Sequence, residues 1–233
     1  MGGHQMLRAI IFDCDGVIVD SEPLHLAAFQ EILSEEGISL TKEDYFQKYL
    51  AMDDKSCFET VLAAHGKTSD KRILKDLIIR KMAAYRQLSQ QRLYLYPGVV
   101  DFIQKVQGVY RLAIASGAFR GEIKAALDVA GLRPAFPVIV SAQDVRNGKP
   151  HPEAFLLALR QINEQHPRPS PPIQPEECLV IEDSIHGLDA AHAAGMICLA
   201  VMNSYPKDKL SQADLVVPSL QELEPKDLEK LFA

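Results

Sequence analysis

The sequence predicts an α/β protein: a Rossmann-like parallel sheet with helices on both faces, plus a small all-helical domain inserted after the first strand. Three observations carry this expectation. Short, continuously apolar runs recur along the chain, each ending at a polar or acidic residue. From residue 112 onward, helical patterns lie between these runs, and alternating strands and helices build a parallel sheet covered on both sides. One stretch, from about residue 21 to 94, breaks the alternation with helical patterns alone.

The elements follow in order. Arg8-Ala9-Ile10-Ile11-Phe12 reads as a buried strand by its unbroken apolar character and runs into Asp13-Cys14-Asp15-Gly16. The insertion shows helical patterns near 22–36, 42–49, 54–65 and 70–91. Ser21 is expected to cap the first of these, with Pro23 in its first turn. Tyr96-Pro97-Gly98 marks the return to the main domain. Leu112–Ala115 then ends at Ser116-Gly117, Pro137–Val140 at Ser141, and Cys178–Ile181 at Glu182-Asp183. Met196–Val201 and Leu215–Val217 complete six strands. Helices are expected at 120–130, 152–162 and 185–194, with Gly131 and Gly195 where C-terminal caps belong. The domain boundaries expected are 1–18 with 95–233 for the α/β core and 19–94 for the helical cap. Gln165-His166-Pro167-Arg168-Pro169-Ser170-Pro171-Pro172 reads as a solvated, polyproline-like loop.

Bulk properties exclude several classes of function. The 233 residues are 47% hydrophobic and 24% charged, as in a globular protein and unlike a disordered or fibrous one. A chain of this length buries about 70–75% of its unfolded surface and needs no disulfide or structural metal. The net charge of −6 argues against a nucleic-acid backbone as partner. Apolar runs of about six residues are too short to span a membrane. Residues 1–6 hold no apolar signal-peptide region. The four cysteines share no metal or redox spacing, so free thiols in a reducing, cytoplasmic setting are expected. A small-molecule partner, and a monomer or weak dimer, complete the expectation.

Ligands of an open parallel sheet bind beyond the carboxyl ends of its strands. Asp13 and Asp15 stand there after the first strand, Ser116 after the second, and Glu182 and Asp183 after the fourth. Lys149 lies in the Asn147-Gly148-Lys149-Pro150 turn before the helix that follows the third. Four carboxylates repel one another and any phosphate: a like-charged pair at ~4 Å costs on the order of 1 kcal/mol in water and ~4 at an effective dielectric of 20. One lysine does not offset four, whereas a hard divalent cation with oxygen ligands does, and Mg²⁺ is the usual choice beside phosphate. With it, one aspartate can attack phosphorus, and a carboxyl two residues away can protonate the leaving oxygen and later activate water. A serine hydroxyl, backbone amides and a lysine can hold the phosphoryl oxygens.

Phe12-Asp13-Cys14-Asp15-Gly16-Val17, Ser116-Gly117, Gly148-Lys149-Pro150 and Ile181-Glu182-Asp183-Ser184 together resemble the four signature motifs of the haloacid dehalogenase-like superfamily, in that family's order. The helical insertion resembles its small cap, and the branches most alike are those of phosphoglycolate phosphatase and beta-phosphoglucomutase. The resemblance implies Asp13 as nucleophile and Asp15 as general acid/base. It implies phosphate contacts from Ser116, Gly117 and Lys149. It implies Mg²⁺ held by Asp13, Asp183 and the backbone carbonyl of Asp15, with Glu182 supporting or ligating the metal.

In the mutase-like branch a histidine matching His25 assists the acid/base aspartate and the hinge, so Ser21 and His25 are candidate substrate or hinge residues. That branch carries a phosphate-gripping arginine where this chain has Ala51-Met52-Asp53-Asp54-Lys55, and a lysine or asparagine where it has Phe119. The expectation is therefore a phosphatase acting on a sugar or polyol phosphate through an aspartyl-phosphate. A phosphosugar mutase is the alternative, with Lys55, Lys48 or Arg80 as substitute cap cations. A dehalogenase is disfavoured by Asp15, a phospho-accepting receiver by the insertion, and a pseudoenzyme by the filled catalytic positions.

Overall fold

A computed structural model describes residues 6–50, 52, 54–91 and 94–232. By internal packing the chain divides into two compact units, Met1–Asp20 with Tyr94–Ala233, and Ser21–Leu93.

The first unit is built on a six-stranded sheet: β1 (Ala9–Phe12), β2 (Arg111–Ala115), β3 (Val138–Val140), β4 (Cys178–Glu182), β5 (Ile197–Val201) and β6 (Leu215–Val217). Every pairing is parallel, in the order β3-β2-β1-β4-β5-β6. Burial on both faces explains the unbroken apolar runs, since each residue of β1 is fully enclosed. One face, with Ala9, Ile11, Ala113 and Val180, packs against Phe155 and Leu159 of α7 (Glu153–Glu164) and Leu188 of α8 (Ile185–Ala193). On the other face Phe12 meets Phe102 and Phe136 edge-on, with ring centres 6.3 and 5.4 Å away. Phe102 belongs to α5 (Val99–Val106), a helix the sequence reading did not anticipate although Val99, Phe102, Ile103 and Val106 recur at helical spacing and are buried. The short helix α9 (Pro225–Glu229) is a second such addition, while α6 (Arg120–Val129) falls where expected. The chain order reverses between β1 and β4, so a crevice for ligands belongs at the carboxyl ends of those two strands.

The 165–172 loop is exposed along most of its length and is pinned at two carbonyls: Arg8 donates to Pro171 O and Arg111 to Pro167 O, both at 2.8 Å. The four cysteines are free and buried. Among the described residues no helix is long and apolar enough to cross a membrane.

The second unit contains α1 (Glu22–Glu35), α2 (Lys42–Asp44), α3 (Asp54–Ala64) and α4 (Lys71–Gln91) around a core that includes Phe29, Leu33, Phe58, Leu62 and Leu77. Two local expectations are corrected. The helix expected over 42–49 is α-helical only to Asp44 and continues as a wider π-turn, Tyr45–Tyr49, which places Tyr45 and Tyr49 inward. Ser21 occupies the cap position of α1, but its side chain accepts no capping hydrogen bond. Pro23 has no amide to give it, and the amides of Leu24 and His25 both go to the backbone carbonyl of Ser21 instead.

Candidate active site

Register places the acidic residues. Phe12 pairs with Ile114 and with Ile181, so Asp13 stands level with Glu182 and one step short of Ser116. Asp13 N donates to Ile181 O at 3.0 Å, and Ser116 N to Val140 O at 3.0 Å, so the ladder holds both residues. Beyond Asp13 the chain turns back: the amides of Ile18 and Val19 reach Cys14 O, and Gly16 N reaches Val19 O. Gly16 has φ +77°, and a Cβ there would lie 1.9 Å from Asp183 Oδ2, so only glycine lets this turn approach the fourth strand's loop.

Glu182 is fully buried and both its oxygens are engaged. Oε2 accepts from Asp183 N at 3.0 Å, Ser184 N at 3.2 Å and Ser184 Oγ at 3.0 Å, while Oε1 accepts from Lys149 Nζ. A Cβ at Gly187 would fall 1.9 Å from Glu182 Cδ, so the first turn of α8 wraps this carboxylate without clearance. Ser184, not Asp183, caps α8, accepting from Gly187 N at 3.1 Å. Asp183 instead accepts from Ser204 Oγ.

Oxygens of Asp13, Glu182 and Asp183 all lie within 4.8 Å of one another. Lys149 Nζ forms an ion pair with Asp13 Oδ1 at 3.1 Å, and that oxygen is otherwise buried with no hydrogen-bond donor. Burial, together with Glu182 and Asp15 and against the pull of Lys149, raises the Asp13 carboxyl to about 7. Burial, Glu182 and Asp13 raise Asp183 to about 8. Burial alone would lower Lys149, but Asp13 and Glu182 outweigh it and hold the ammonium above its ordinary range. An excess of buried carboxylate over ammonium, with one acidic oxygen lacking a donor, fits a divalent cation with oxygen ligands. Ser116 Oγ accepts from Ala118 N at 3.1 Å, shaping the turn in which Gly117 is exposed, and Asp15 is half-buried at the same edge. Asp13, Asp15, Ser116, Gly117, Lys149, Glu182 and Asp183 thus all fall at the carboxyl end of one sheet.

The model of the haloacid dehalogenase-like hydrolases matches residues 7–195. The chain belongs to that family. It is 30% identical to Protein CbbY of Rhodobacter capsulatus, over 92% of this chain and 94% of that protein. It is also 30% identical to a phosphorylated carbohydrates phosphatase of Thermotoga maritima, over 82% of each chain. Among solved structures, a putative beta-phosphoglucomutase of Thermotoga maritima superposes with a TM-score of 0.75 at 28% identity, covering 93% of this chain and 96% of that one.

Ser21 and His25 belong to the helical unit, not to the sheet edge. His25 stacks on Tyr85 with ring centres 4.3 Å apart, and its Nδ1 faces Lys81 Nζ at 2.8 Å. Lys81 is 2% exposed, donates to Asp54 Oδ1 at 2.6 Å and lies 4.7 Å over the Phe29 ring. Burial and then Lys81 lower His25 to about 3, so its ring is neutral and Nδ1 accepts from the ammonium. Of the two acidic residues that stand where the mutase-like arginine would, Asp54 pairs with Lys81, and Asp53 lies outside the described residues. The substitute cations are engaged on the surface: Lys55 with Glu59, Lys48 with Asp44, and Arg80 with Glu35, Glu36 and Asp76. Sequence reasoning missed Lys81, which nothing local distinguishes from Arg80. It also missed Asn203 and Ser204, although they lie in the turn just after β5, at the ligand-binding edge.

Proposed function

We propose that the chain is a Mg²⁺-dependent phosphatase of small phosphorylated sugars or polyols, working through a phosphoryl group carried on Asp13. The observation that carries this reading is the buried cluster of Asp13, Glu182 and Asp183 beside Lys149, with one Asp13 oxygen lacking a donor. The Thermotoga relative, a phosphorylated carbohydrates phosphatase, supports the substrate class.

In this reading Asp13, Asp183 and the Asp15 carbonyl would hold a Mg²⁺ ion, with Glu182 in support or as ligand, and the ion would keep the carboxylates ionised and offset the phosphate's charge. Lys149, Ser116 and the Gly117 amide orient the phosphoryl oxygens. An Asp13 carboxylate oxygen attacks phosphorus, the bond to the ester oxygen breaks, and Asp15 gives that oxygen a proton. Asp15, now ionised, takes a proton from water, the water oxygen attacks the phosphoryl group, and inorganic phosphate leaves with the Asp13 carboxylate restored. Four buried thiols support a reducing, cytoplasmic setting. A small metabolite, not nucleic acid or a membrane, is the partner, and the chain works as a monomer or weak dimer.

The test is a panel of phosphorylated metabolites with Mg²⁺ or chelator. Phosphate release that needs Mg²⁺ and favours sugar or polyol esters is expected, and full activity in chelator would defeat the metal assignment. One observation favours the mutase alternative: Lys81 matches the charge of the Asp54 carboxylate, so Asp54 adds little repulsion toward a second phosphate. Supplying beta-glucose 1-phosphate with a trace of the 1,6-bisphosphate separates the two. Phosphate release should dominate, and isomerisation running ahead of it would select the mutase.

A further inference from the structure

Asn203 and Ser204 follow β5 and are used by neither the family motifs nor the chemistry above. Each makes one bond into the acidic edge. Asn203 Nδ2 donates to the Gly16 carbonyl at 2.7 Å, and Ser204 Oγ donates to Asp183. Gly16 is the residue after Asp15. Its positive φ and its contact with Asp183 leave its peptide little choice of orientation. The carbonyl that Asn203 grips belongs to the turn whose other closures are the amides of Gly16, Ile18 and Val19. An amide side chain from the loop after β5 therefore adds a hydrogen bond to this turn besides those the turn makes within itself.

We propose that Asn203 is a positioning residue for Asp15: by holding the Gly16 carbonyl it fixes the turn that aims the Asp15 carboxyl at the leaving oxygen. This rests on the reading of Asp15 as proton donor. The donor must be an amide, because a carboxylate of the same shape has no hydrogen to give a carbonyl. Misaiming a proton donor harms esters in proportion to their need for a proton. A polyol phosphate leaves as a strongly basic alkoxide, whereas a nitrophenolate departs with little help.

The experiment compares kcat/KM for a polyol phosphate and for p-nitrophenyl phosphate, because this ratio reports on steps up to phosphoryl transfer and not on the shared hydrolysis of the phosphoenzyme. Asn203→Ala and Asn203→Asp should each lose about tenfold or more on the polyol ester and less than about threefold on the aryl ester, within the usual scale of general-acid effects. In an Asp15→Asn background, Asn203→Ala should add no further loss on either ester. Ser204→Ala, which frees Asp183 and not Gly16, should lower both esters by a common factor. Equal losses on the two esters in Asn203→Ala, or a full further loss in the Asp15→Asn background, would overturn the proposal. A wild-type chain inert toward both esters would overturn the phosphatase reading and this role with it.

Discussion

Lys81 in the helical unit and Lys149 in the sheet unit both have little exposure, and the two are balanced differently. Lys81, in the helical unit, faces one carboxylate, Asp54, and the neutral ring of His25, with Phe29 beneath. Its charge is matched by Asp54. Lys149, at the sheet edge, faces Asp13 and Glu182 with Asp183 close by, so carboxylates outnumber ammonium. A matched cluster fixes side chains, whereas an unmatched one must acquire a cation or hold protons to exist at neutral pH. The surplus at the sheet edge, more than any single motif, separates a site for chemistry from a cluster that orders a core.

The largest expected effects lie on the unmatched side. Asp13→Asn should abolish turnover, and Asp15→Asn should lower it by about 10²–10⁴-fold, as removal of a general acid/base does. Lys81→Met, by contrast, should leave aryl phosphate turnover within about tenfold of wild type. A loss with Lys81→Met as large as with Asp15→Asn would erase the distinction.

Metal binding sharpens the comparison next. Mg²⁺ at ~100 times its Kd should stabilise the chain by about 2.7 kcal/mol in denaturant titrations. Asp13 and Asp183 are raised to about 7 and 8, so in the absence of metal the folded state holds protons that the unfolded state has released. The metal-free fold should therefore lose stability as pH rises from about 4 toward 8, and the gain from Mg²⁺ should grow over that window. A gain independent of pH, and retained in Asp13→Asn with Asp183→Asn, would place the metal elsewhere.

A smaller effect follows for the matched cluster. Lys81→Met should cost about 1–3 kcal/mol, because Asp54 loses its partner but keeps some solvent. Adding Asp54→Asn should recover part of that loss. An additive double variant would show that the two charges do not interact.

A pH-dependent effect, confined to acid conditions, follows for His25. Its folded value of about 3 lies below its ordinary 6.5, so the unfolded chain gains a proton first as pH falls. Stability should be undiminished above pH 6.5 and should decline below it by up to about 1 kcal/mol per pH unit. His25→Gln should remove that part of the decline. An unchanged acid limb in the variant would mean that His25 is protonated in the fold.

Much of the site was legible because residues level across a parallel sheet must appear at the ends of its apolar runs. Asp13, Ser116, Glu182 and Asp183 were found by that rule alone, and Lys149 by its turn and its place in the set. The same rule extended to β5 would have reached Asn203 and Ser204. The six strands and the helical insertion were legible from apolar periodicity, as α5 would have been. The π-turn at Tyr45–Tyr49 was not, because the local pattern reads as an ordinary helix. Ser21 illustrates a competing local effect, since its type and position suit a cap but Pro23 withholds the amide. Lys81 was hidden because burial of an ammonium depends on partners 27 and 56 residues away.

The most direct test of the account is acid-quench mass spectrometry of the chain mixed with p-nitrophenyl phosphate and Mg²⁺, with peptides mapped across residues 8–20. The account predicts a phosphoryl group on Asp13, absent when the metal is chelated and absent in Asp13→Asn. Turnover that persists in Asp13→Asn, or a phosphoryl group found on another residue, would contradict it.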